Sequence, residues 1–270
     1  MTVAKPGVRH IDVLSYSLIR WGFVAAAAFL YAVLAGELAL PSGVAVGWAA
    51  LAGLMDAVAG GLFYLMAVER TSIHQAATLS STAPLWGVIA SVIFLFEPLH
   101  WTAMLSGVMV VAGAYFLVQP RLGVTFKIHS GTLFATATGA LWGVSETVVS
   151  KLALQAGLSP SMLLVIFSLT AIVGVAAIMP LLRLRVPRHF SRRGMIYLVI
   201  SAVPGTFLGW VLWLNGLRLA PASLLSPVRG STMLFSFLYS VVFLRERPLR
   251  HALLGVALIF AGVLLVSFHS

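Results

Sequence analysis

Two carboxylates lie inside long apolar runs, where a charged side chain is rarely found. Asp56 has small neighbours in the stretch GLMDAVAG, and Glu146 follows in WGVSET. An ionised residue at the centre of a bilayer costs about 2.5–3.5 kcal/mol on insertion scales, so it usually faces a partner or a watery cavity. A buried carboxyl that gains and loses a proton is what proton-coupled exchange needs. We therefore expect Asp56, Glu146 or both to bind a coupling proton or a cationic group.

Two arginines, Arg20 and Arg229, also fall within apolar runs. A guanidinium can hold the carboxylate or phosphate of an anionic substrate through two parallel hydrogen bonds. Two alternatives stay open. Arg20 is close to the end of its run and can extend its charge to the surface, and either arginine can form a structural ion pair with Asp56 or Glu146. Pro and Gly loosen the helix around Arg229 in SPVRGST, which favours a functional interpretation there.

Three aromatic residues, Tyr64, Trp142 and Trp213, are candidates to line a chamber for an aromatic or amphipathic ligand. The alternative is that they anchor the protein at the membrane–water interface, as Trp and Tyr commonly do. Pro84 and Pro227 interrupt two of the apolar runs. Because proline removes a backbone hydrogen bond, each marks a position where a helix can break or gate. No metal or other cofactor is expected, since the histidines are scattered without metal-ligand spacing.

The apolar runs define the class of protein. The chain has 270 residues, of which 60% are hydrophobic and only 9% are charged. Soluble domains carry roughly 25% charged residues. Only helices or closed barrels satisfy their backbone inside lipid, and barrel strands would alternate in polarity, whereas these runs are continuous. The sequence predicts an all-α polytopic membrane protein. There is no cysteine, which excludes disulfides and thiolate chemistry.

Nine runs are long enough to cross a bilayer as helices. They cover residues 13–35, 46–68, 74–96, 101–119, 131–154, 161–182, 194–217, 222–244 and 251–268. The connections between them are short, and we expect successive helices to be antiparallel neighbours.

The positive charges predict the orientation of these nine spans. One side receives most of the lysines and arginines outside the spans, namely Lys5, Arg9, Arg70, Arg121, Lys127, Arg183, Arg185, Arg188, Arg192, Arg193, Arg245, Arg247 and Arg250. The other side receives Lys151 and Arg218. Positively charged loops stay in the cytoplasm. We therefore expect the N-terminus and the 183–193 loop inside and the C-terminus outside the cytoplasmic (inner) membrane. The net charge of +10 indicates topology, not nucleic-acid binding.

An internal repeat is indicated by two similar stretches, SVIFLFEPL and SFLYSVVFLRERPL. Their glutamates, Glu97 and Glu246, are 149 residues apart, and Gly113 and Gly262 are separated by the same offset. An odd number of helices per repeat inverts the second copy, an architecture common among secondary transporters. Glu97 and Glu246 lie at the ends of predicted spans, and we interpret them as boundary residues.

The two repeats are expected to cover residues 1–125 and 126–270. The second has five predicted spans and the first has four. The segment TVVSK, which ends at Lys151, aligns with MTVAK, which ends at Lys5. One hypothesis is that Met1 lies near the end of a helix whose upstream part is absent. The alternative is a nine-helix protein with a short cytoplasmic tail.

The order of these features resembles the EamA-type drug/metabolite transporter superfamily. The matching pieces are Pro84 with Glu97-Pro-Leu, Gly107 with Gly113, Pro227 with Glu246-Arg-Pro-Leu, Gly255 with Gly262, ALWG at 140–143 and LIR ending at Arg20. The resemblance implies a ten-helix fold of two inverted five-helix repeats, with the first helix missing here. It also implies transport of small metabolites, often export.

A secondary active transporter is therefore the leading expectation, one that exports small metabolites such as amino acids or amphipathic compounds by alternating access, with proton coupling as one option. Its partners would be the small-molecule substrate and the lipid bilayer, and a homodimer stays open. Motifs of enzymes are absent from the sequence. The alternatives are an intramembrane enzyme of lipid metabolism and a non-transporting or truncated membrane subunit.

The charge distribution makes a topology prediction. A reporter that is active only in the cytoplasm, fused after Ser270, is expected to stay silent, whereas the same reporter fused within the arginine-rich 183–193 loop is expected to be active. Reporter activity in whole cells measures both. A strong signal from the C-terminal fusion would contradict the orientation.

Overall fold

The computed structural model describes residues 13–118, 130–180, 192–242 and 250–268. Within these ranges the regular elements are helices, which we number α1 to α9. They are α1 (Val13–Leu34), α2 (Gly43–Gly53, Leu54–Gly60 and Gly61–Arg70), α3 (Ile73–Ser80 and Ala83–Phe94), α4 (Trp101–Val118), α5 (Ser130–Val144, Ser145–Val149 and Ser150–Gln155), α6 (Pro160–Ile178), α7 (Arg192–Ile200, Ser201–Phe207 and Leu208–Leu219), α8 (Ala222–Arg229 and Ser231–Val242) and α9 (Arg250–Ser267).

These helices confirm the prediction of an all-α polytopic membrane protein. Each of the nine predicted spans coincides with one helix of the described ranges, with ends that differ by a few residues. Six of the helices are long and apolar enough to cross a membrane on those criteria alone. The segment 1–12, on which the hypothesis of a preceding helix depends, lies outside the described residues, as does Glu246.

Residue types at the helix starts explain several of the boundaries. Ser42, Ser72 and Ser159 precede α2, α3 and α6, and each side chain accepts a hydrogen bond from a backbone N–H of the first turn. Such N-caps satisfy donors that have no partner within the helix. Proline stands at the start of α6 and of the second segment of α3, where its missing N–H is not needed.

Three of the helices contain a π-helical segment, namely α2 (Leu54–Gly60), α5 (Ser145–Val149) and α7 (Ser201–Phe207). Such segments are rare and frequently occur at functional sites. The segment in α7 starts 147 residues after the one in α2, close to the repeat offset of 149. The segments in α2 and α5 carry the two carboxylates expected inside the membrane, Asp56 and Glu146, respectively. The backbone therefore departs from regular α-helical geometry at the two positions where these carboxylates lie.

The chain forms two compact units, and each takes segments from both halves of the sequence. Unit 1 comprises Met1–Val58 and Val149–Arg218. Its core contains an aromatic stack in which the Phe167 ring lies 5.1 Å from that of Trp21 and 4.8 Å from that of Trp210, measured between centroids. The three rings tie α1, α6 and α7 together.

Unit 2 comprises Ala59–Val148 and Leu219–Ser270, and its helices α4 and α9 pack closely. The hydroxyl of Ser106 donates a 2.5 Å hydrogen bond to the carbonyl of Gly262. Seven residues along α4, Gly113 approaches Gly255 so closely that a Cβ on either would lie 2.6 Å from the carbonyl oxygen of the other. The small residues permit close approach of the two backbones.

These two contacts are related by the repeat. Residue 255 is the equivalent of Ser106, and residue 262 is the equivalent of Gly113, at the offset of 149. Ser106 therefore contacts the equivalent of Gly113, and Gly113 contacts the equivalent of Ser106. Reciprocal pairing of this kind is the signature of a two-fold axis between the paired elements. The α4–α9 contact thus has the symmetry expected of inverted repeats.

The contact predicts that Gly113→Ala destabilises the protein. The new methyl group would lie 2.6 Å from both the Gly255 carbonyl oxygen and Cγ1 of Ile259, and overpacking of this kind costs about 1–3 kcal/mol. Gly47→Ala in α2 is the matched control, because a Cβ there meets nothing within 4 Å. Thermal unfolding in detergent is expected to show a lower Tm for Gly113→Ala alone. Equal Tm values would contradict the packing argument.

Candidate functional site: a buried ion pair in unit 2

A buried ion pair joins α5 to α8. Oε1 of Glu146, on the π-helical segment of α5, contacts Nη2 of Arg229, the last residue of the first segment of α8. The Glu146 side chain is 11% exposed and the Arg229 side chain is 27% exposed. The Glu146 side chain is therefore the more enclosed of the two. This ion pair is one of the two alternatives predicted for these residues.

The backbone around Arg229 explains how its side chain reaches Glu146. Pro227 lies inside the first segment of α8 and removes one helical hydrogen bond, and the segment ends at Gly230. A Cβ on Gly230 would clash with the side chain of Val110 on α4, so only glycine fits this close approach. The helix is therefore interrupted at Gly230, three residues after Pro227.

Pro84, the other predicted break, contacts α8 directly. Its carbonyl accepts a 2.8 Å hydrogen bond from the hydroxyl of Ser226. Gly87 faces Ser226 and Thr147 at a distance that leaves no room for a side chain. The interrupted regions of α3 and α8 thus pack against each other beside Thr147, the residue that follows Glu146.

An aromatic pair lies on the same unit. The rings of Tyr64 and Trp142 are 5.7 Å apart between centroids, with an interplanar angle of 31°. Trp142 precedes Glu146 by four residues on α5, about one helical turn. Unit 2 therefore combines an ion pair with a stacked aromatic pair that can accept the apolar part of a ligand. Trp213, the repeat equivalent of Tyr64, is half-buried on α7 in unit 1.

Unit 1 contains the second pair of charges. Arg20 on α1 interacts electrostatically with Asp56 on the π-helical segment of α2 and with Tyr16. Its guanidinium carbon lies 5.2 Å from the ring centroid of Trp21. Nε of Arg20 is buried and has no hydrogen-bond partner within the described residues. This nitrogen of Arg20 is therefore enclosed by the protein. An ion pair with Asp56 and a charge that extends to the membrane surface both stay predictions.

Sequence reasoning missed one polar contact of unit 2, made by Glu97. Its carboxylate accepts hydrogen bonds from the backbone N–H groups of Ala222 (2.8 Å) and Ser223 (2.7 Å) at the start of α8. The interpretation of Glu97 as a boundary residue is therefore incomplete. The available signal was Pro221, the residue before α8, which has no side chain able to cap a helix.

No three histidine, aspartate or glutamate side chains converge on a potential metal position in the part of the chain that the structure describes. The chemistry available in both units is therefore that of paired charges, hydroxyl groups and aromatic rings. Such groups can bind and release ions and polar molecules.

The sequence profile of the EamA-like transporter family matches residues 1–119 and again residues 129–268. The chain belongs to this family. The family consists of membrane transporters of the drug/metabolite type, so this EamA-like protein is a multi-pass membrane transporter.

The crystal structure of another protein has the same fold as this EamA-like chain. The two align with a TM-score of 0.82 at 19% sequence identity, over 98% of this chain and 91% of the other. Among curated protein sequences, none matches the chain at a significant level.

The ion pair of this EamA-like protein predicts energetic coupling between Glu146 and Arg229. Glu146→Gln and Arg229→Gln are each expected to lower the free energy of unfolding by about 1–3 kcal/mol, because each leaves a partly buried charge without its partner. The double variant is expected to lose less than the sum of the two. Unfolding in mixed detergent micelles measures all three.

The exposed pair of Glu69 and Arg70 is the matched control for this cycle. Their side chains approach to 3.9 Å, and they are 73% and 43% exposed, respectively. Pairs of this kind contribute about 0–1 kcal/mol. Additive losses at Glu146 and Arg229, like those expected at the control pair, would show that the buried contact carries no coupling.

Proposed function

We propose that this EamA-like protein is a secondary active transporter that exports small metabolites, such as amino acids or amphipathic compounds, by alternating access coupled to protons. The observation that carries the proposal is the ion pair between Glu146 and Arg229 within a membrane-spanning part of the chain. Ionisable residues in such positions mark substrate and proton pathways. We place the protein in the cytoplasmic membrane, with the N-terminus inside and the C-terminus outside.

Glu146 supplies the coupling in this proposal. A carboxylate binds a proton or a cationic group of the substrate, but it does not bind both at once. Protonation removes the charge that holds Arg229, and a substrate ammonium group restores a charge pair at the same oxygens. Competition for Glu146 therefore exchanges a proton moving inward for a substrate molecule moving outward. The inward proton gradient supplies the energy.

Arg229 has the complementary role. Its side chain is 27% exposed although it contacts Glu146. A substrate carboxylate or phosphate can bind there through paired hydrogen bonds. An internal ion pair of this kind also keeps both charges satisfied while no substrate is bound, since an unpaired charge in lipid is costly.

The remaining candidates extend the proposal to the rest of the substrate. Tyr64 and Trp142 present stacked rings that suit an aromatic or aliphatic substituent. Asp56 and Arg20 are opposite charges in unit 1, and Asp56 acts electrostatically on Arg20. Asp56 belongs to a π-helical segment, as Glu146 does, and both residues are nearly inaccessible, with exposures of 9% and 8%. Asp56 is the second candidate for proton binding.

Transport by the purified protein in proteoliposomes tests the proposal. A panel of amino acids and amphipathic compounds is presented with and without an imposed pH gradient. The initial rate of substrate transport is expected to rise when the gradient drives protons in the direction opposite to that of the substrate. Asp56→Asn or Glu146→Gln is expected to reduce that rate to its value without a gradient, because neither amide binds a proton in this pH range.

Glu69→Gln is the control variant, because it removes a carboxylate from the exposed end of α2. Its transport is expected to keep the full gradient dependence. If Asp56→Asn and Glu146→Gln both keep that dependence as well, the proton role is excluded. If no compound of the panel moves across the membrane in either condition, the assignment as an exporter of such metabolites is contradicted.

A further inference from the structure

The first turn of α8 has donors that its own sequence does not satisfy. The residue before the helix is Pro221, whose side chain makes no capping hydrogen bond, unlike the serines before α2, α3 and α6. Ala222 and Ser223 are completely buried. A buried N–H without a partner costs about 1–3 kcal/mol, so this helix start requires an acceptor from elsewhere in the protein.

Glu97 supplies that acceptor from the turn between α3 and α4. Each oxygen of its carboxylate accepts one N–H, from Ala222 at 2.8 Å and from Ser223 at 2.7 Å. The N-terminus of a helix also favours negative charge because of the helix dipole. The contact therefore combines two charge-assisted hydrogen bonds with a favourable field, and it joins two elements 125 residues apart in the sequence.

The backbone before Glu97 is strained in a way that supports this contact. Phe96 has a φ of +55°, and within the described ranges it is the only residue other than glycine with positive φ. This conformation costs about 1–2 kcal/mol for an ordinary residue. The Phe96 side chain is 89% exposed, so packing of the ring does not explain the conformation. The sharp turn positions the next residue, Glu97, at the start of α8.

An apolar cluster lies beside this contact and closes the same end of unit 2. It consists of Val88 on α3, Ala103 on α4, Leu224 on α8 and Val266 on α9, all buried. Leu224 directly follows Ala222 and Ser223, the two residues whose N–H groups donate hydrogen bonds to Glu97. The first turn of α8 therefore holds both the polar contact and part of the cluster, and a movement of that turn would open both.

The same helix segment carries Arg229. Arg229 follows Ala222 by seven residues in one helical segment, which corresponds to about 10 Å along the axis. The two residues belong to one helical segment, although Pro227 between them removes one of its hydrogen bonds. A contact that fixes the first turn of this segment therefore helps to set the position of the arginine relative to Glu146.

We propose that Glu97 is a positioning residue that latches α8 closed at this end of unit 2, and that the latch must release α8 in every transport cycle. The proposal rests on the alternating access of the proposed function. Release of the latch breaks two hydrogen bonds from one side chain and leaves the hydrogen bonds within α8 intact. A movement of α8 would also change the contacts of Ser226 with Pro84 and of Arg229 with Glu146. While the latch is closed, it holds Arg229 in register with Glu146 and keeps the apolar cluster sealed.

Cysteine labelling tests the latch directly, because the chain contains no cysteine of its own. Leu224→Cys places a thiol in the apolar cluster, and Ala103→Cys is a second reporter on α4. The protein is reconstituted in lipid nanodiscs without substrate and treated with a water-soluble maleimide. When Glu97→Ala is added to either reporter variant, the labelling rate is expected to rise by about tenfold. Glu97→Gln is expected to cause a smaller rise.

Three controls separate the latch from a loss of stability. Leu163→Cys, fully buried on α6 of unit 1, is expected to stay protected in the Glu97 variants, whereas partial unfolding would expose it. Leu40→Cys, fully exposed, is expected to label at one constant rate. Glu69→Gln removes an exposed carboxylate that caps no helix and is expected to leave the protection of Leu224→Cys unchanged.

The outcomes are distinct. Unchanged labelling of both cluster reporters in Glu97→Ala and Glu97→Gln overturns the latch, and equal acceleration at Leu163→Cys shows that Glu97 only stabilises the fold. If Glu97→Ala does not fold, Glu97→Gln carries the test, because its amide keeps the shape of the side chain and one acceptor oxygen. The labelling needs no substrate, so a failure of the transport assay leaves this result intact.

Discussion

An ionised side chain in the hydrocarbon of a bilayer is costly, so it faces a partner within the protein or a water-filled cavity. In unit 2 of this chain Glu146 contacts Arg229, and in unit 1 Arg20 lies in the electrostatic field of Tyr16 and Asp56. Both carboxylates lie on π-helical segments, where the regular helix pattern is interrupted. The breaks in the helices and the positions of the charges therefore belong to one solution of the same physical problem.

Close backbone contact is the second feature that suits this fold to a lipid environment. Between α4 and α9, glycine and serine allow one helix to accept a hydrogen bond from the other, and the reciprocal contacts of Gly113 and Gly262 follow a two-fold axis. The driving force for helix association in lipid is packing, since lipid chains are as apolar as leucine. Unit 2 therefore contains both this close helix contact and the interrupted helices α3 and α8.

Glu97 adds a contact of a different kind, from a side chain to the backbone of another helix. It is confined to one helix end, and it involves a helix start that cannot cap itself because Pro221 precedes it. Contacts of this type can be broken without disturbing the hydrogen bonds within the helix. They suit the moving parts of a transporter, in which helices change position while keeping their internal structure.

The sequence by itself determined the all-helical class and the nine spans, because apolar length and composition depend on local chemistry alone. It also identified Asp56, Glu146, Arg20 and Arg229, since charge inside an apolar run is visible without a structure. Only the tertiary structure decided which charges pair and gave Glu97 its contact with α8. These contacts join residues 83 and 125 positions apart, and no local pattern specifies how the chain brings such residues together.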